Sequence, residues 1–409
     1  MILCGAFFYC YQFLIRVSPN IMTDELMAAF DIDATMLGTI TGAYYIAYAS
    51  MQIPLGVMMD QWGPRRLLML AATTCGAACI LFAFAESAST AWVGRFLMGM
   101  GSACGYLGTL KLGTIWFPPR SFAMVVAVTM LSGTVGASIG GAPLELLLNY
   151  LGWQDTLFAV GGAGVLIAAV ILVGVPERRS YDGSLDKDQA KSPPLLDGVK
   201  RIMKSPQNWM IALYGMLMYV PLAILGDLWG VSFFEHKYGI TETIAAIAVT
   251  SMFIGISVGS PVIAYLTEKH QTRKSIMKYG SLINLVLFMI IIFVPGVPLW
   301  MTYVLMFLTG FFFTSQILCF AAATEIMPIK YSGVVLGFTN MIVMLSGAFF
   351  HSIVGSLVNM YWDGTEINNV PQYTAADYTF GLTVIPICLV IAFVMMHFVR
   401  ETFPQQKES

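Results

Sequence analysis

Apolar segments, each about 20 residues long, recur along most of the chain and are separated by short polar stretches. A hydrocarbon core of about 30 Å needs about 20 apolar residues in a helix, so each segment is long enough to cross a bilayer. The pattern therefore predicts an all-α membrane protein with twelve transmembrane helices, near residues 1–22, 36–58, 67–85, 90–113, 122–146, 156–175, 208–234, 243–266, 275–294, 298–325, 333–361 and 378–399.

One long polar stretch interrupts this pattern. Residues 176–207, PERRSYDGSLDKDQAKSPPLLDGVKRIMKSPQ, separate six predicted helices from the other six. We therefore expect an N-terminal six-helix bundle over 1–175, a cytoplasmic linker over 176–207, a C-terminal six-helix bundle over 208–399 and a cytoplasmic tail over 400–409.

The basic residues indicate the orientation, because Lys and Arg collect in the cytoplasmic loops of membrane proteins. With both termini inside, all of the 21 Lys and Arg fall on the cytoplasmic side except Lys237, which lies opposite, and Arg16 and Arg95, which fall within helices. We expect a multi-pass protein of the bacterial inner (plasma) membrane. The first segment lacks the basic start and the cleavage site of a signal peptide, so either the tail before helix 1 is minimal or the start is trimmed.

The two halves of the chain repeat each other. GVMMDQWGPRR follows helix 2 and AYLTEKHQTRK follows helix 8 at an offset of 208 residues, so that Asp60 matches Glu268 and Arg65 matches Arg273. TIWFPPRS after helix 4 and TEIMPIKYS after helix 10 are offset by 210 residues. Transporters built from such repeats bind substrate near the membrane midplane, between the halves.

The composition excludes several other classes of protein. Hydrophobic residues make up 57% of the chain and charged residues 11%, whereas soluble domains carry about 25% charged residues. The net charge of −2 excludes a strongly basic nucleic-acid-binding surface, and the seven cysteines lack metal-ligand or disulfide spacing. The sequence contains neither a phosphate-binding Gly-x-x-x-x-Gly-Lys-Ser/Thr loop nor a His-Glu-x-x-His cluster. An ATP-driven pump and an intramembrane enzyme are therefore disfavoured, and the repeat argues against a channel.

Two motifs resemble those of the major facilitator superfamily, a family of transporters. The stretch between helices 2 and 3 is similar to the family signature through Gly56, Asp60, Gly63, Arg65 and Arg66. RFLMGMGSA in helix 4 is similar to a second motif through Arg95, Gly99 and Gly101. With twelve helices and a central loop, the resemblance covers essentially the whole chain. It implies two pseudo-symmetric six-helix bundles and a cytoplasmic gate of charges that is made and broken as the halves rock, with Gly56, Asp60, Arg65, Arg66, Glu268 and Arg273 as its residues.

Two further stretches bear on the type of transport. SGTVGASIGGAP in helix 5 resembles the antiporter motif of the family, but Ala137 replaces its proline, which weighs against a drug-efflux antiporter. Its glycines are also explained by close helix packing. YQFLIR in helix 1 resembles the organic anion:cation symporter branch, in which a helix-1 arginine binds a substrate carboxylate. An acidic residue usually precedes that arginine, and Ile15 stands there instead.

Three charged residues lie away from the ends of the predicted helices: Arg16, Arg95 and Asp227. A charge at membrane depth is costly and usually faces a cavity or a partner. The offset of 208 maps Arg16 onto Ile224, one helical turn before Asp227, so we expect these two charges to face one cavity. We assign Asp227 and Arg95 to proton coupling and Arg16 to the substrate. A buried structural ion pair and a snorkelling side chain remain alternatives for each of the three.

Polar and aromatic side chains continue the face of helix 1 that carries Arg16. We expect a substrate site lined by Arg16, Tyr9 and Gln12 of helix 1, Tyr44 and Tyr48 of helix 2, Gln316 of helix 10 and Asn340 of helix 11. Such polar groups also bond neighbouring helices, which is the structural alternative. Glu145 and His351 are the next candidates for a proton site, and His351 is expected close to the outer surface.

These observations favour a proton-coupled secondary transporter that imports a small carboxylate-bearing organic solute. An amino-acid or peptide transporter, in which Asp227 binds the amine, is the alternative, followed by an efflux antiporter. We expect no cofactor and no metal, a proton gradient as the energy source with sodium as a second possible coupling ion, an anionic or zwitterionic small-molecule substrate, no nucleic-acid partner and a monomer.

Overall fold

The first six transmembrane helices form one bundle. The computed structural model of the chain describes residues 1–117, 122–176, 195–367 and 370–403. In the N-terminal half, α1 and a 3₁₀ turn form helix 1, a short α2 follows it, and two later transmembrane helices are broken into α5–α6 and α7–α8. The bounds are α1 Ile2–Val17, the 3₁₀ turn Ser18–Ile21, α2 Thr23–Phe30, α3 Ala34–Trp62, α4 Pro64–Ala83, α5 Ala88–Ser102, α6 Cys104–Trp116, α7 Phe122–Ile139, α8 Ala142–Leu151 and α9 Trp153–Gly174.

The C-terminal half begins with a short helix that falls in the segment predicted as the linker, α10 Leu195–Met203. Six transmembrane helices follow, and a two-strand antiparallel hairpin precedes the last of them. Their bounds are α11 Pro206–Pro221, a π-helix Leu222–Trp229, α12 Gly230–Tyr238, α13 Glu242–His270, α14 Lys274–Phe293, α15 Leu299–Phe313, a 3₁₀ turn Thr314–Ile317, α16 Leu318–Ile326, a 3₁₀ turn Ile329–Tyr331, α17 Ser332–Met360, β1 Glu366–Ile367, β2 Val370–Pro371, α18 Ala375–Gly381 and α19 Val384–Phe398.

The repeat in the sequence is also a repeat of elements. Adding 208 to the bounds of α3 gives those of α13, and adding 210 to the bounds of α4 gives those of α14. Ten of the described helical stretches are long and apolar enough to cross a membrane. The two other predicted spans are α3, rich in Gly, Thr and Tyr, and the pair α5–α6.

Capping residues and one glycine define the helix ends that shape the two faces of the bundle. The side chain of Asp33 accepts a hydrogen bond from the Met36 N–H at the start of α3, and Thr374 forms a capping box with Asp377 at the start of α18. Gly63 joins α3 to α4 with φ of +76°, a conformation that favours glycine. The tight turn between helices 2 and 3 therefore requires this residue of the motif.

The helices end at two opposite faces of the molecule, the linker face and the hairpin face. The linker face carries the end of α9, the start of α10, the turn at Gly63 and the last described residues near 403. The hairpin face carries α2, β1 and β2. Helix 1 runs from the linker face to the hairpin face, and so does the helix formed by α11, the π-helix and α12.

Helices pack most closely where glycine faces a backbone. A Cβ at Gly136 of α7 would overlap the backbone of Cys10 in α1, and one at Gly38 of α3 would overlap the backbone of His351 in α17. The first contact supports close packing as the role of the helix-5 glycines. The second joins the two halves near the hairpin face.

Candidate functional site

Arg16 and Asp227 form a buried ion pair between the two halves. Arg16 lies in the last turn of α1, and Asp227 lies in the π-helix between α11 and α12. Arg16 Nη2 is 2.9 Å from Asp227 Oδ2, and the two side chains are 4% and 1% exposed. Arg16 Nε donates to the same oxygen at 3.1 Å. One carboxylate oxygen therefore accepts both of these hydrogen bonds from the guanidinium.

Two tyrosines that the sequence analysis did not single out complete this centre. The Tyr45 hydroxyl of α3 accepts a hydrogen bond from Arg16 Nε at 3.0 Å and donates to Asp227 Oδ2. The Tyr219 hydroxyl of α11 accepts a hydrogen bond from Arg16 Nη2. The guanidinium carbon also lies 5.1 Å from the ring centroids of Phe13 and Tyr45 and 5.3 Å from that of Tyr219. Aromatic faces at this distance stabilise a cation.

The two oxygens of Asp227 differ. Oδ2 accepts hydrogen bonds from Arg16 and Tyr45, whereas Oδ1 is sealed from solvent and has no hydrogen-bond partner among the described residues. A buried acceptor without a partner is costly, and a bound proton would remove the charge that makes it so. The geometry therefore suits a carboxyl group that changes its protonation state.

Arg95 does not point at this carboxylate. Its Nη1 donates to the carbonyl of Ile15 at 2.8 Å, its Nη2 donates to the carbonyl of Arg16 at 3.3 Å, and its guanidinium lies over the Tyr44 ring. These carbonyls end α1, where backbone acceptors lack helical partners. Arg95 thereby holds the turn that carries Arg16, a structural use of the charge that proton coupling does not require.

The π-helix is held by side chains from other elements. Asn20, which follows α1, donates from Nδ2 to the carbonyls of Leu225 and Gly226, and its Oδ1 accepts from the N–H of Val231. His351 Nε2 lies 2.8 Å from the carbonyl of Ala223. These contacts fix the irregular backbone that presents Asp227.

His351 is buried beneath α3 and is 1% exposed. Its Nδ1 lies 3.2 Å from Thr41 Oγ1, and its ring packs edge-on against the Tyr45 ring at 5.2 Å. The sequence indicated the position of His351 along its helix, but it did not indicate that α3 packs over the side chain.

The other candidate substrate residues form two groups. Tyr44 donates to Gln12 Oε1 at 3.3 Å, Tyr9 packs against Phe13 at 5.1 Å, and Tyr48 stacks on Tyr44 at 6.1 Å, so these residues lie beside the Arg16 centre. Two residues use their amides elsewhere: Gln316 bonds the carbonyl of Gly215, and Asn340 bonds the side chain of Gln52.

The same fold and motifs are found in known proteins. A family model described as Major Facilitator Superfamily matches residues 1–234 and 217–409. The chain belongs to the Major Facilitator Superfamily. It is therefore a multi-pass membrane protein, and the relatives described below are named as transporters rather than as enzymes.

Among the relatives of this protein, the uncharacterized transporter YybO of Bacillus subtilis (strain 168) is 24% identical over 62% of this chain. A putative tartrate transporter of Agrobacterium vitis is 26% identical over 44% of this chain. These alignments span 62% and 43% of the two relatives' own lengths. The probable galactarate/D-glucarate transporter GudP of Escherichia coli (strain K12) is 21% identical over 84% of this chain and 83% of its own.

Several solved structures have the same overall fold as this protein. A bacterial homologue of the human lysosomal transporter Spinster superposes with a TM-score of 0.77 at 15% identity, over 97% of this chain and 95% of that chain. A D-xylose–proton symporter superposes with a TM-score of 0.77 at 14% identity, over 98% of each chain. At these identities the likeness supports the fold alone.

The predicted gate residues lie at the linker face of the protein. The hydrogen bonds and ion pairs described for them join residues of the same half. Arg65 donates to the carbonyl of Leu172 at 2.6 Å. Arg273 pairs with Glu325 at 3.0 Å and lies 3.8 Å from Glu268. The remaining predicted residues are Gly56, beside which there is open space, Arg66, which is exposed, and Asp60, whose side chain lies outside the described residues.

The two halves are instead bonded to each other toward the hairpin face. Besides the bonds of Asn20 and His351, hydrogen bonds that join them there include Thr23–Ser232 at 2.8 Å, Asn359–Asp33 at 3.0 Å, Tyr373–Ala34 at 3.1 Å, Thr39–Ser352 at 3.3 Å and Thr243–Glu145 at 2.6 Å. The Asn340–Gln52 bond, at 2.7 Å, lies nearer the linker face. The structure therefore represents a state that is closed at the hairpin face.

Proposed function

We propose that this protein is a proton-coupled symporter that imports a small carboxylate-bearing organic solute by alternating access. The observation that carries the proposal is the Arg16–Asp227 pair, which links the two halves beside a sealed carboxylate oxygen. Substrate sites in such transporters lie between the halves. A pair at this position can respond both to a substrate and to the movement of one half against the other.

The chemistry follows from the charges of the pair. While Asp227 is ionised, its charge neutralises Arg16, and a substrate carboxylate would also be repelled by Asp227. Protonation of Asp227 removes that negative charge and leaves Arg16 to attract the carboxylate. Proton and substrate would then bind together, which is the thermodynamic requirement for symport.

Orientation and location belong to the same proposal. The basic residues support a cytoplasmic linker face, which would make the hairpin face external and the present state open toward the cytoplasm or occluded. A proton gradient that is acidic outside would then load Asp227 from the hairpin face and release the proton inside. We propose the bacterial inner membrane as the location, the cytoplasm as the site of both termini, and a monomer as the working unit.

The printed names of relatives support an organic anion as the substrate. Two are named for tartrate and for galactarate and D-glucarate, which carry carboxylates. The two buried arginines and one buried aspartate give the centre an excess of one positive charge when all three are ionised. Both observations favour an anion over a neutral solute.

Replacement of Arg16 tests the proposal. The guanidinium fork matches the two oxygens of a carboxylate, and a lysine ammonium does not. We expect Arg16→Ala to lose about 2 to 5 kcal/mol of binding free energy and Arg16→Lys to lose much of it despite its charge. Uptake of a panel of labelled carboxylates, amino acids and neutral sugars into proteoliposomes, with and without a pH gradient, provides the measurement. Normal uptake by Arg16→Lys, with loss of expression in Arg16→Ala, would assign Arg16 to structure and contradict the proposal.

A second candidate, an amino-acid or peptide transporter, is favoured by one observation. Asp227 Oδ1 has no hydrogen-bond partner among the described residues, and an ammonium group is a donor that could use it. The oxygen is sealed in this state, so the halves would have to open before an amine reached it. Gradient-driven uptake of amino acids, but not of carboxylates without an amine, would favour this candidate.

A further inference from the structure

The guanidinium of Arg16 has one side that the structure leaves open. Its Nε and Nη2 donate to Asp227 and to the two tyrosines, whereas Nη1 makes no hydrogen bond to any residue in the described part of the chain. Among the described residues, the side-chain atoms that are both sealed from solvent and unbonded do not include Nη1. Nη1 therefore retains some exposure to solvent. Asp227 therefore occupies one edge of the fork, and the edge with Nη1 is available.

Of the two tyrosine hydroxyls at the guanidinium, one is fully hydrogen-bonded and the other is not. The Tyr45 hydroxyl uses both of its roles, because it accepts from Arg16 and donates to Asp227, and the residue is fully buried. The Tyr219 hydroxyl accepts from Arg16 Nη2, but no described residue accepts the proton of this hydroxyl. Tyr219 is 7% exposed, and its hydroxyl bonds Nη2, the nitrogen that shares the end of the guanidinium with Nη1.

We propose that Tyr219 is a substrate-binding residue, whose hydroxyl and Arg16 Nη1 together hold the substrate carboxylate beside Asp227 rather than in its place. One carboxylate oxygen accepts from Nη1 and the other accepts the hydroxyl proton of Tyr219, while Tyr219 still accepts from Nη2. This inference rests on the proposed function and makes it more specific. Substrate and Asp227 then share one arginine, and the proton on Asp227 controls affinity through charge.

The arrangement also defines the substrate class. Arg16 offers one open edge, and Arg95 is committed to the carbonyls of Ile15 and Arg16. The site therefore fits one carboxylate group of an organic anion and provides no second guanidinium for another carboxylate. Further polar groups of the substrate would meet Gln12 and the tyrosine side chains rather than a cation.

The test compares two matched variants, Tyr219→Phe and Tyr214→Phe. Each keeps an aromatic ring of α11 and removes a single hydroxyl, and the hydroxyl of Tyr214 donates to the carbonyl of Met277 within the C-terminal half. The probes are labelled lactate, succinate, L-tartrate and D-glucarate, with threitol as a neutral counterpart of tartrate. Equilibrium binding to the purified full chain is measured at acidic and at neutral pH, and thermal denaturation of each variant confirms folding.

We expect Tyr219→Phe to weaken binding of the carboxylate probes by about ten- to a hundredfold at acidic pH, because a hydrogen bond to a charged group is lost. Tyr214→Phe should bind them as the wild type does, because its hydroxyl bonds the Met277 carbonyl and not Arg16. Wild-type affinity in Tyr219→Phe, or no carboxylate binding by the wild type beyond that of threitol, would overturn the inference.

The outcome for Arg16 separates this inference from the proposed function. If Arg16→Lys loses carboxylate binding while Tyr219→Phe keeps it, the proposed function stands and the assignment of Tyr219 fails. If Arg16→Lys binds and transports normally, the proposed function fails and the inference fails with it.

Discussion

At the scale of single residues, Asp227 combines burial with two unequal oxygens. Oδ2 is held by Arg16 and Tyr45, and Oδ1 is sealed without a partner in the described part of the chain. A buried carboxylate whose partner is removed typically destabilises a protein by about 3 to 5 kcal/mol. Binding of a proton is the way in which such a group avoids that cost when a substrate carboxylate shares the charge of Arg16.

Asp227→Asn is therefore expected to uncouple transport from the proton gradient. The neutral amide resembles the protonated acid but cannot release a proton, so substrate exchange should persist while accumulation against a gradient is lost. Proteoliposome uptake and counterflow, measured side by side, provide the comparison, and Asp227→Glu serves as a control that still titrates. Normal gradient-driven accumulation by Asp227→Asn would move the proton site elsewhere, with Glu145 and His351 as the next candidates.

The charged members of the site could be predicted from the sequence, and its aromatic members could not. An arginine or aspartate within an apolar helix is conspicuous, and the repeat offset brought Arg16 and Asp227 to similar depths. Tyr45 and Tyr219 are two of 18 tyrosines, and an aromatic residue in a membrane helix carries no such signal. Their roles depend on which faces of the helices pack together, and that packing is known only from the structure of both halves.

At the scale of elements, the π-helix around Asp227 is the feature that the sequence did not predict. The hydropathy pattern indicated one continuous helix over 208–234, because apolar residues run through it without a break. The structure changes helix type at Leu222 and returns to an α-helix at Gly230. Asn20 and His351 bond its carbonyls from other elements, and those contacts are non-local.

Asn20→Ala should destabilise this element. The change removes the partner of two carbonyls and one N–H of the π-helix region, and an unsatisfied buried polar group costs about 1 to 3 kcal/mol. We expect a lower melting temperature in detergent and weaker substrate binding. Asn284→Ala is the matched control, because its buried amide bonds Gly280 of its own helix. Equal melting temperatures for both variants would contradict the assigned role of Asn20.

The contact between α3 and α17 should set how well the hairpin face closes. A Cβ at Gly38 would overlap the backbone carbonyl of His351, which cannot rotate away as a side chain can. We expect Gly38→Ala to shift the population toward a state open at the hairpin face and to slow transport. Spin labels at Glu86→Cys and Asp363→Cys, on exposed loops of opposite halves, should then report longer distances. Gly162→Ala, where a Cβ meets open space, should leave the distances unchanged.

At the scale of the whole molecule, the described hydrogen bonds between the halves concentrate toward the hairpin face, while the described charges of the linker face pair within their own halves. One carboxylate there, Glu401, shows how firmly the end of the chain is held. Burial opposes its ionisation, but hydrogen bonds from Thr272 and from the backbone N–H of Arg273 outweigh burial, and the pKa of Glu401 is lowered. Each half is thus braced as a unit, which suits rocking about the central pair.

Alternating access requires that the hairpin face open once in each cycle, and a reversible bond across it tests this directly. Thr39 Oγ1 of α3 and Ser352 Oγ of α17 lie 3.3 Å apart in the closed state, so cysteines at both positions can reach disulfide geometry. We expect the Thr39→Cys/Ser352→Cys variant to lose uptake under oxidising conditions and to regain it after reduction, because the bond holds the halves in one state. The control is Ser87→Cys/Thr90→Cys, whose hydroxyls are 3.1 Å apart within the N-terminal half, so that an oxidised bond spans no moving interface. Full transport by the oxidised Thr39→Cys/Ser352→Cys variant, with the disulfide verified by mass spectrometry, would show that the hairpin face does not separate there, and the rocking of two halves about Arg16 and Asp227 would have to be abandoned.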